Sequence, residues 1–412
     1  MPQNAPEHLY FVCLPAHGHV NPTLPLVAEL VRRGHRVTYA THPKFGGRVE
    51  AAGATLLPLA FEMPPPPTGD YGPRRFVERM ELFAGFIRAG FPVVLEQARH
   101  DLPDAVCYDM ASPVGRMLAE KLALPGVGLL PTFADNAHTR RAGLVPGAQG
   151  PDRTTLRPVL ARLRRRATTY GVSMASVLMS GPPAEVNVVF VPREFQYAAE
   201  TFDDGYHFVG PSLEADGDAA HPDTDVHPAA DGEPLVYVSL GTASRRPEFL
   251  ALCRDAFAGT GQRVAMSTGE HIDPAELGTL PAEFDVRPYF PQRAVLRHAA
   301  VFVSHGGMNS IMESVHAGVP LVVVPERPEQ EANARRVEEL GLGRRLAGAG
   351  LTAGALRAAV ASVASDAAVR AGIDRMRRAC AAAGGAPAAA DVVETVLAAG
   401  NDRSPGGAVA AG

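Results

Sequence analysis

The sequence predicts an α/β protein built as two doubly wound domains in tandem, and three observations carry that expectation. Short apolar runs of strand length alternate with longer segments whose apolar residues recur at helical spacing, the pattern of parallel sheets flanked by helices. The stretch from 214 to 234, "EADGDAAHPDTDVHPAADGEP", interrupts this with Asp, Ala, Pro and Gly and has no apolar periodicity, as a flexible linker would. Beyond it the alternation starts again.

The opening reads strand, loop, helix, strand: "HLYFVCL", "PAHGHVNP", "TLPLVAELVRRG" and "HRVTYAT". Leu24, Val27, Leu30 and Val31 share one helical face, and Gly34 stands where a C-cap glycine belongs. This βαβ opening implies parallel pairing. The runs "ATLLPLA" (54–60), "DAVCYD" (104–109), "GVGLLP" (126–131) and "VNVVFVP" (186–192) extend the same sheet. Between them, "MPPPPTGDYGP" at 63–73 reads as a surface loop. The helix behind it puts Phe76, Met80, Phe83 and Ile87 on one face, which serves either as core or as the wall of an apolar ligand pocket. The arginines between Arg162 and Arg166 read as a solvated helix face. After the linker the strands are "LVYVSLGT", "QRVAMSTG", "FDVRPYFP", "AVFVSHGG" and "PLVVVPE". Residues 351–400 are alanine-rich with a helical pattern, and the tail "NDRSPGGAVAAG" is expected to fray.

Composition narrows the function. With 412 residues, 46% hydrophobic and 20% charged, the chain is long enough for one to three domains with substantial cores. A formal charge of -5 gives no global attraction for nucleic acid or an anionic membrane, so an anionic ligand must be held locally. Cys13, Cys107, Cys253 and Cys380 are widely separated with no CxxC pair, which points to reduced thiols rather than to disulfides or a zinc site. No signal peptide opens the chain and no apolar run approaches the ~20 residues of a membrane helix, so a cytoplasmic protein is expected.

Ligands of open α/β sheets bind beyond the carboxyl ends of the strands. Two ionisable groups fall there in the first domain, His19 after "FVCL" and Asp109 at the end of "DAVCYD". On neighbouring strands the carboxylate would hold one imidazole nitrogen and leave the other as a base for a hydroxyl proton. A loop histidine beside a helix-capping aspartate is the plainer alternative, and spacing does not choose between His17 and His19. In the second domain "VSHGGMNSIMESVHAGVP" (303–320) joins a strand to a helix. Gly306 and Gly307 permit close backbone approach, and His305, Asn309 and Ser310 add donors at the positive end of the helix, a cradle for a diphosphate. Ser310 and Glu313 equally form S-x-x-E, a capping box, with Gly318 and Pro320 ending the helix. A second glycine junction places Gly241 and Thr242 after a strand. "RPYFPQ" supplies Tyr289, Phe290 and Gln292, and "PERPEQ" supplies Glu329 and Gln330. Their co-occurrence at strand ends of one domain describes a sugar-nucleotide site.

Nearly the whole chain resembles the family-1 glycosyltransferases, above all the bacterial branch acting on macrolides and other natural products. The resemblance begins at "PAHGHVNPTLPLVAELVRRGHRVTYAT" and is most specific at "YFPQRAVLRHAAVFVSHGGMNSIMESVHAGVPLVVVPERPEQ". It implies the GT-B fold, two Rossmann-like domains facing a central cleft. It also implies that His19 is the general base, supported by Asp109. His305, Asn309 and Ser310, with the backbone of Gly306 and Gly307, would touch the diphosphate, Thr242 the β-phosphate, Glu313 the ribose, and Gln292 the base and ribose. Tyr289 stands where the family usually stacks the pyrimidine on a Trp, and Glu329-Gln330 stands for its sugar-reading Asp-Gln pair. The retained carboxylate favours glucose over a deoxysugar.

The expected layout is an acceptor domain at 1–213, the linker at 214–234, a nucleotide-sugar domain at 235–385, a helix at 386–400 packing back on the first domain, and a tail at 401–412. The expected activity is inverting, metal-independent transfer of a hexose from UDP-glucose to a hydroxyl of a lipophilic small molecule, by a monomer or homodimer that takes no nucleic acid. A TDP-deoxysugar transferase in antibiotic assembly shares every motif. A sugar-nucleotide 2-epimerase would not need the His–Asp pair, and a catalytically silent ligand binder would not need the full donor signature.

Overall fold

The computed structural model describes residues 6–64, 73–141, 153–213, 234–241, 246–269 and 272–403. Thr242, the proline-rich loop from 65 to 72, the linker from 214 to 233 and the tail from 404 lie outside the described residues. The described chain divides into two compact units. The first comprises the residues up to 213 together with those from Ala383 onward, and the second comprises those from 234 to Ala382.

In the first unit seven described strands form one parallel sheet: β1 (His8–Val12), β2 (Arg36–Thr41), β3 (Thr55–Pro58), β4 (Ala105–Asp109), β5 (Gly126–Leu130), β6 (Val186–Val189) and β7 (Tyr206–Phe208). Their order is β3-β2-β1-β4-β5-β6-β7, so the winding reverses between β1 and β4. Strand β1 is buried at every position, as a central strand covered on both faces must be. Its side chains alternate. Leu9 and Phe11 enter a core shared with the helices Leu24–Arg32 and Gly385–Arg403, while Tyr10 and Val12 enter one shared with the helices Pro73–His100 and Arg153–Tyr170. Met80, Phe83 and Ile87 belong to the second of these cores, and the side chain of Phe76 lies outside the described residues. Gly34 follows the Leu24–Arg32 helix at φ +98, a conformation that favours glycine.

The second unit repeats the plan with β8 (Leu235–Ser239), β9 (Arg263–Ser267), β10 (Phe284–Arg287), β11 (Ala299–Ser304), β12 (Leu321–Val323) and β13 (Gly343–Arg345). The order is β10-β9-β8-β11-β12-β13, all parallel, with the reversal between β8 and β11. Three features depart from the sequence reading. The three-residue edge strands β7 and β13 are too short to carry a period. "PAHGHVNP", read as a loop, contains a one-turn helix, His17–Val20, running into a 3-10 turn, Asn21–Thr23. The C-terminal helical region is three helices, Ala353–Ser365, Ala367–Ala383 and Gly385–Arg403, the last two separated by Gly384 at φ +89. No described helix is long and apolar enough to cross a membrane.

Candidate functional site

The first cluster sits at the β1/β4 reversal, where strands leave a crevice at their carboxyl ends. Val12 pairs with Tyr108 in register, so the chain leaving β1 and the last residue of β4 emerge side by side. His19 Nδ1 lies 2.7 Å from Asp109 Oδ2, and Asp109 Oδ1 accepts from the Ala111 amide at 2.8 Å. Asp109 is 1% exposed, whereas the His19 side chain retains 28%. An ionised carboxylate only accepts, so the proton of this bond sits on Nδ1 and a base role falls to Nε2. His17, the other candidate, packs edge-on against Phe45 at 5.0 Å. Below the pair, burial first and then the Asp109 charge push the Cys13 thiol up to about 12, which keeps it protonated.

The second cluster sits at the equivalent reversal of the other sheet, where Ser239 ends β8 and Ser304, its partner in register, ends β11. The His305 ring lies between two glycines. A Cβ on Gly241 would come within 2.8 Å of it, and one on Gly307 within 2.6 Å. Burial, and next the Arg327 guanidinium, push its pKa down to about 4, so the imidazole is neutral near pH 7; its buried Nδ1 has no hydrogen-bond partner among the described residues. Gly306 adopts φ +87, and a Cβ there would sit 2.7 Å from Val323 Cγ1, so this position requires glycine. Its amide donates to Ser304 Oγ at 3.2 Å and its carbonyl accepts from Asn333 Nδ2 at 2.8 Å.

The helix Met308–Ala317 begins at Gly307, which caps it without a side-chain hydrogen bond. Ser310 therefore lies inside the first turn, and the Ser310–Glu313 capping box does not form. Gln292 Nε2 instead donates to Glu313 Oε2 at 2.7 Å and approaches Ser310 Oγ at 3.3 Å. The first-turn amides, which helix geometry leaves without intrahelical carbonyls, remain the natural anion donors. Gly318 ends the helix at φ +76, as read. Asn309 is half-buried in the first turn, and the Tyr289 ring is 62% exposed beside Gln292. Glu329 is exposed. Gln330 is buried, and its Oε1 accepts from the amides of Glu326 and Arg327, so it caps the helix Pro328–Glu339.

Three contributors escaped the sequence reading: Ser304, Arg327 and Asn333. Asn333 carried a usable signal, because it shares the buried stripe Gln330, Ala334, Val337 of its helix, where a polar residue needs a partner. Among the described residues no three His, Cys, Asp or Glu side chains cluster as metal ligands would.

Residues 264–399 match the family described as erythromycin biosynthesis protein CIII-like, C-terminal domain. Over 403 residues the chain is 37% identical to the NDP-glycosyltransferase YjiC of Bacillus licheniformis, covering 95% of this chain and 98% of that one. It is 36% identical to the demethyllactenocin mycarosyltransferase of Streptomyces fradiae, covering 95% and 86%. The solved structure of the calicheamicin glycosyltransferase CalG4 matches with a TM-score of 0.78 at 34% identity, over 96% of this chain and 99% of that chain.

Proposed function

The chain belongs to the family-1 glycosyltransferases that act on natural products, and on that premise we propose that it transfers glucose from UDP-glucose to a hydroxyl of a lipophilic small molecule, with inversion. The observation that carries the reading is the His19–Asp109 pair, 2.7 Å apart at the β1/β4 crevice. His19 Nε2 takes the acceptor proton and Asp109 stabilises the imidazolium. The acceptor oxygen forms its bond to the anomeric carbon as the bond to the diphosphate breaks on the opposite face, and the nucleoside diphosphate leaves with the electron pair.

The first unit then binds the acceptor and the second the donor. Charge on the departing diphosphate falls on the first turn of the Met308–Ala317 helix, on Asn309 and Ser310 and on neutral His305, dipoles that need no metal ion, and the family resemblance assigns Thr242 to the β-phosphate. Glu313, oriented by Gln292, takes the ribose hydroxyls, Tyr289 stacks on the base, and Glu329 reads the sugar. Gln330 supports that end of the site through its helix cap.

General-base catalysis of this kind is typically worth ~10²–10⁴-fold, so His19→Ala is expected to lose that much turnover while UDP binding by calorimetry stays intact. Undiminished turnover would sink the assignment. The mycarosyltransferase relative supports one alternative, a TDP-deoxysugar donor at the same site. Turnover of TDP-sugars with none of UDP-glucose, read as added acceptor mass, decides for it.

A further inference from the structure

His19 sits on a helix of one turn, His17–Val20, and a single turn does not hold its shape unaided, because nucleation costs more than one backbone bond returns. Something outside the turn must fix it. The Val20 side chain enters the core of the first unit, and the Val20 carbonyl accepts from Thr23 Oγ1 at 2.8 Å. Thr23 Oγ1 in turn lies 2.6 Å from the Tyr39 hydroxyl, on β2. Thr23 and Tyr39 are both completely buried. A threonine hydroxyl has one hydrogen, and here it points at the Val20 carbonyl, so Tyr39 is the donor to Thr23. The chain of bonds therefore has one direction: Tyr39 to Thr23 to the end of the turn that carries the base.

From this geometry we propose that Tyr39 and Thr23 are positioning residues for His19, tying its one-turn helix to β2 so that the imidazole meets both Asp109 and the acceptor hydroxyl. Burial first, and the nearby Asp109 charge with it, hold the Tyr39 phenol well above its ordinary pKa, so the donor keeps its proton near neutral pH. Neither residue touches substrate. A buried relay is stiff because each lost bond leaves an unsatisfied polar atom, and a displacement of about 1 Å in a catalytic group is enough to lower a rate strongly. The inference rests on His19 as the base.

The test uses the full chain and variants that change one group. Tyr39→Phe removes the donor and keeps the ring, Thr23→Val removes the hydroxyl and keeps the shape, and Thr23→Ser keeps the hydroxyl. Tyr39→Phe and Thr23→Val are expected to lower kcat about tenfold with donor KM and UDP affinity within about twofold of the parent, and Thr23→Ser to restore kcat. Added to His19→Ala, Tyr39→Phe is expected to cost nothing further, because there is no base left to position. The proposal is overturned if both variants keep the parental kcat while melting earlier, which marks a purely structural role. It is also overturned if the loss lies in UDP affinity, or if it persists in full on the His19→Ala background. Should His19→Ala itself retain turnover, the base assignment fails first and takes this inference with it, an outcome distinct from a normal Tyr39→Phe beside an inactive His19→Ala.

Discussion

Gln292 and Glu313 meet at 2.7 Å from two different helices, and this single contact separates two meanings of one glutamate. A capping glutamate would return to the backbone of its own helix, whereas Glu313 accepts from Gln292 of another helix, as the proposed ribose contact requires. Glu313→Gln is therefore expected to raise the Kd for UDP about tenfold, since a hydrogen bond to a charged group is worth ~1.5–3 kcal/mol. The melting temperature is expected to stay within about 2 °C, as for a change outside the core. A fall in melting temperature with unchanged Kd returns Glu313 to a structural role. The two histidines teach the same lesson. His17 and His19 are two residues apart, and residues two apart on a helix point about 200° from each other, so one turns to Phe45 and the other to Asp109. Spacing along the sequence does not separate the two histidines; the family resemblance points to His19, and the turn shows the geometry behind that choice.

At the scale of elements, the C-terminal helix Gly385–Arg403 is part of the first unit's core. Ala389, Ala390, Val393 and Leu397 lie in the cluster that includes Leu26, Val27 and Leu30 of the Leu24–Arg32 helix. Arg33 fastens the outside of this contact, bonding Asp391 and Glu394 at 2.7 Å each and the Pro387 carbonyl at 3.0 Å, and His35 Nε2 lies 3.1 Å from Glu394. Removing the helix would expose an apolar face at ~25 cal/mol per Å² and strand Arg33. A chain ending at Ala383 is therefore expected to partition into the insoluble fraction, or to lose one calorimetric transition. A soluble truncated chain with an unchanged unfolding profile would show the helix to be dispensable. The alanine-rich composition made these helices legible. Where the last one docks was not, because a small-residue face fits many surfaces and the partner lies more than 350 positions away in the chain, at Arg33.

At the scale of the whole molecule, acid stability follows from groups buried in their neutral form in both units. His8 of the first unit is pushed below its ordinary 6.5 by burial and then by Arg36, and His305 of the second is pushed to about 4 by burial and then by Arg327. The unfolded chain takes up these protons near 6.5 and the folded one only further down. The unfolded state thus binds more protons in between, and stability falls as pH drops from about 6.5 toward about 4. Below that a second loss follows, as Glu29, held near 2 first by its hydrogen bond from Arg32, is protonated. His305→Gln is expected to flatten the melting temperature between pH 6.5 and 4.5 relative to the parent; an unchanged slope would assign the acid sensitivity elsewhere. The sequence by itself determined the α/β class, the division into two doubly wound halves and the residue types at the strand ends, because apolar period and glycine placement are local properties of the chain. Tertiary structure alone decided that β1 abuts β4 and β8 abuts β11, that His19 Nδ1 meets Asp109 while His17 turns to Phe45, that Gly307 starts the second-unit helix, and that Tyr39 meets Thr23 and Asn333 the Gly306 carbonyl. Each of these is a meeting of distant segments, fixed by which faces bury one another.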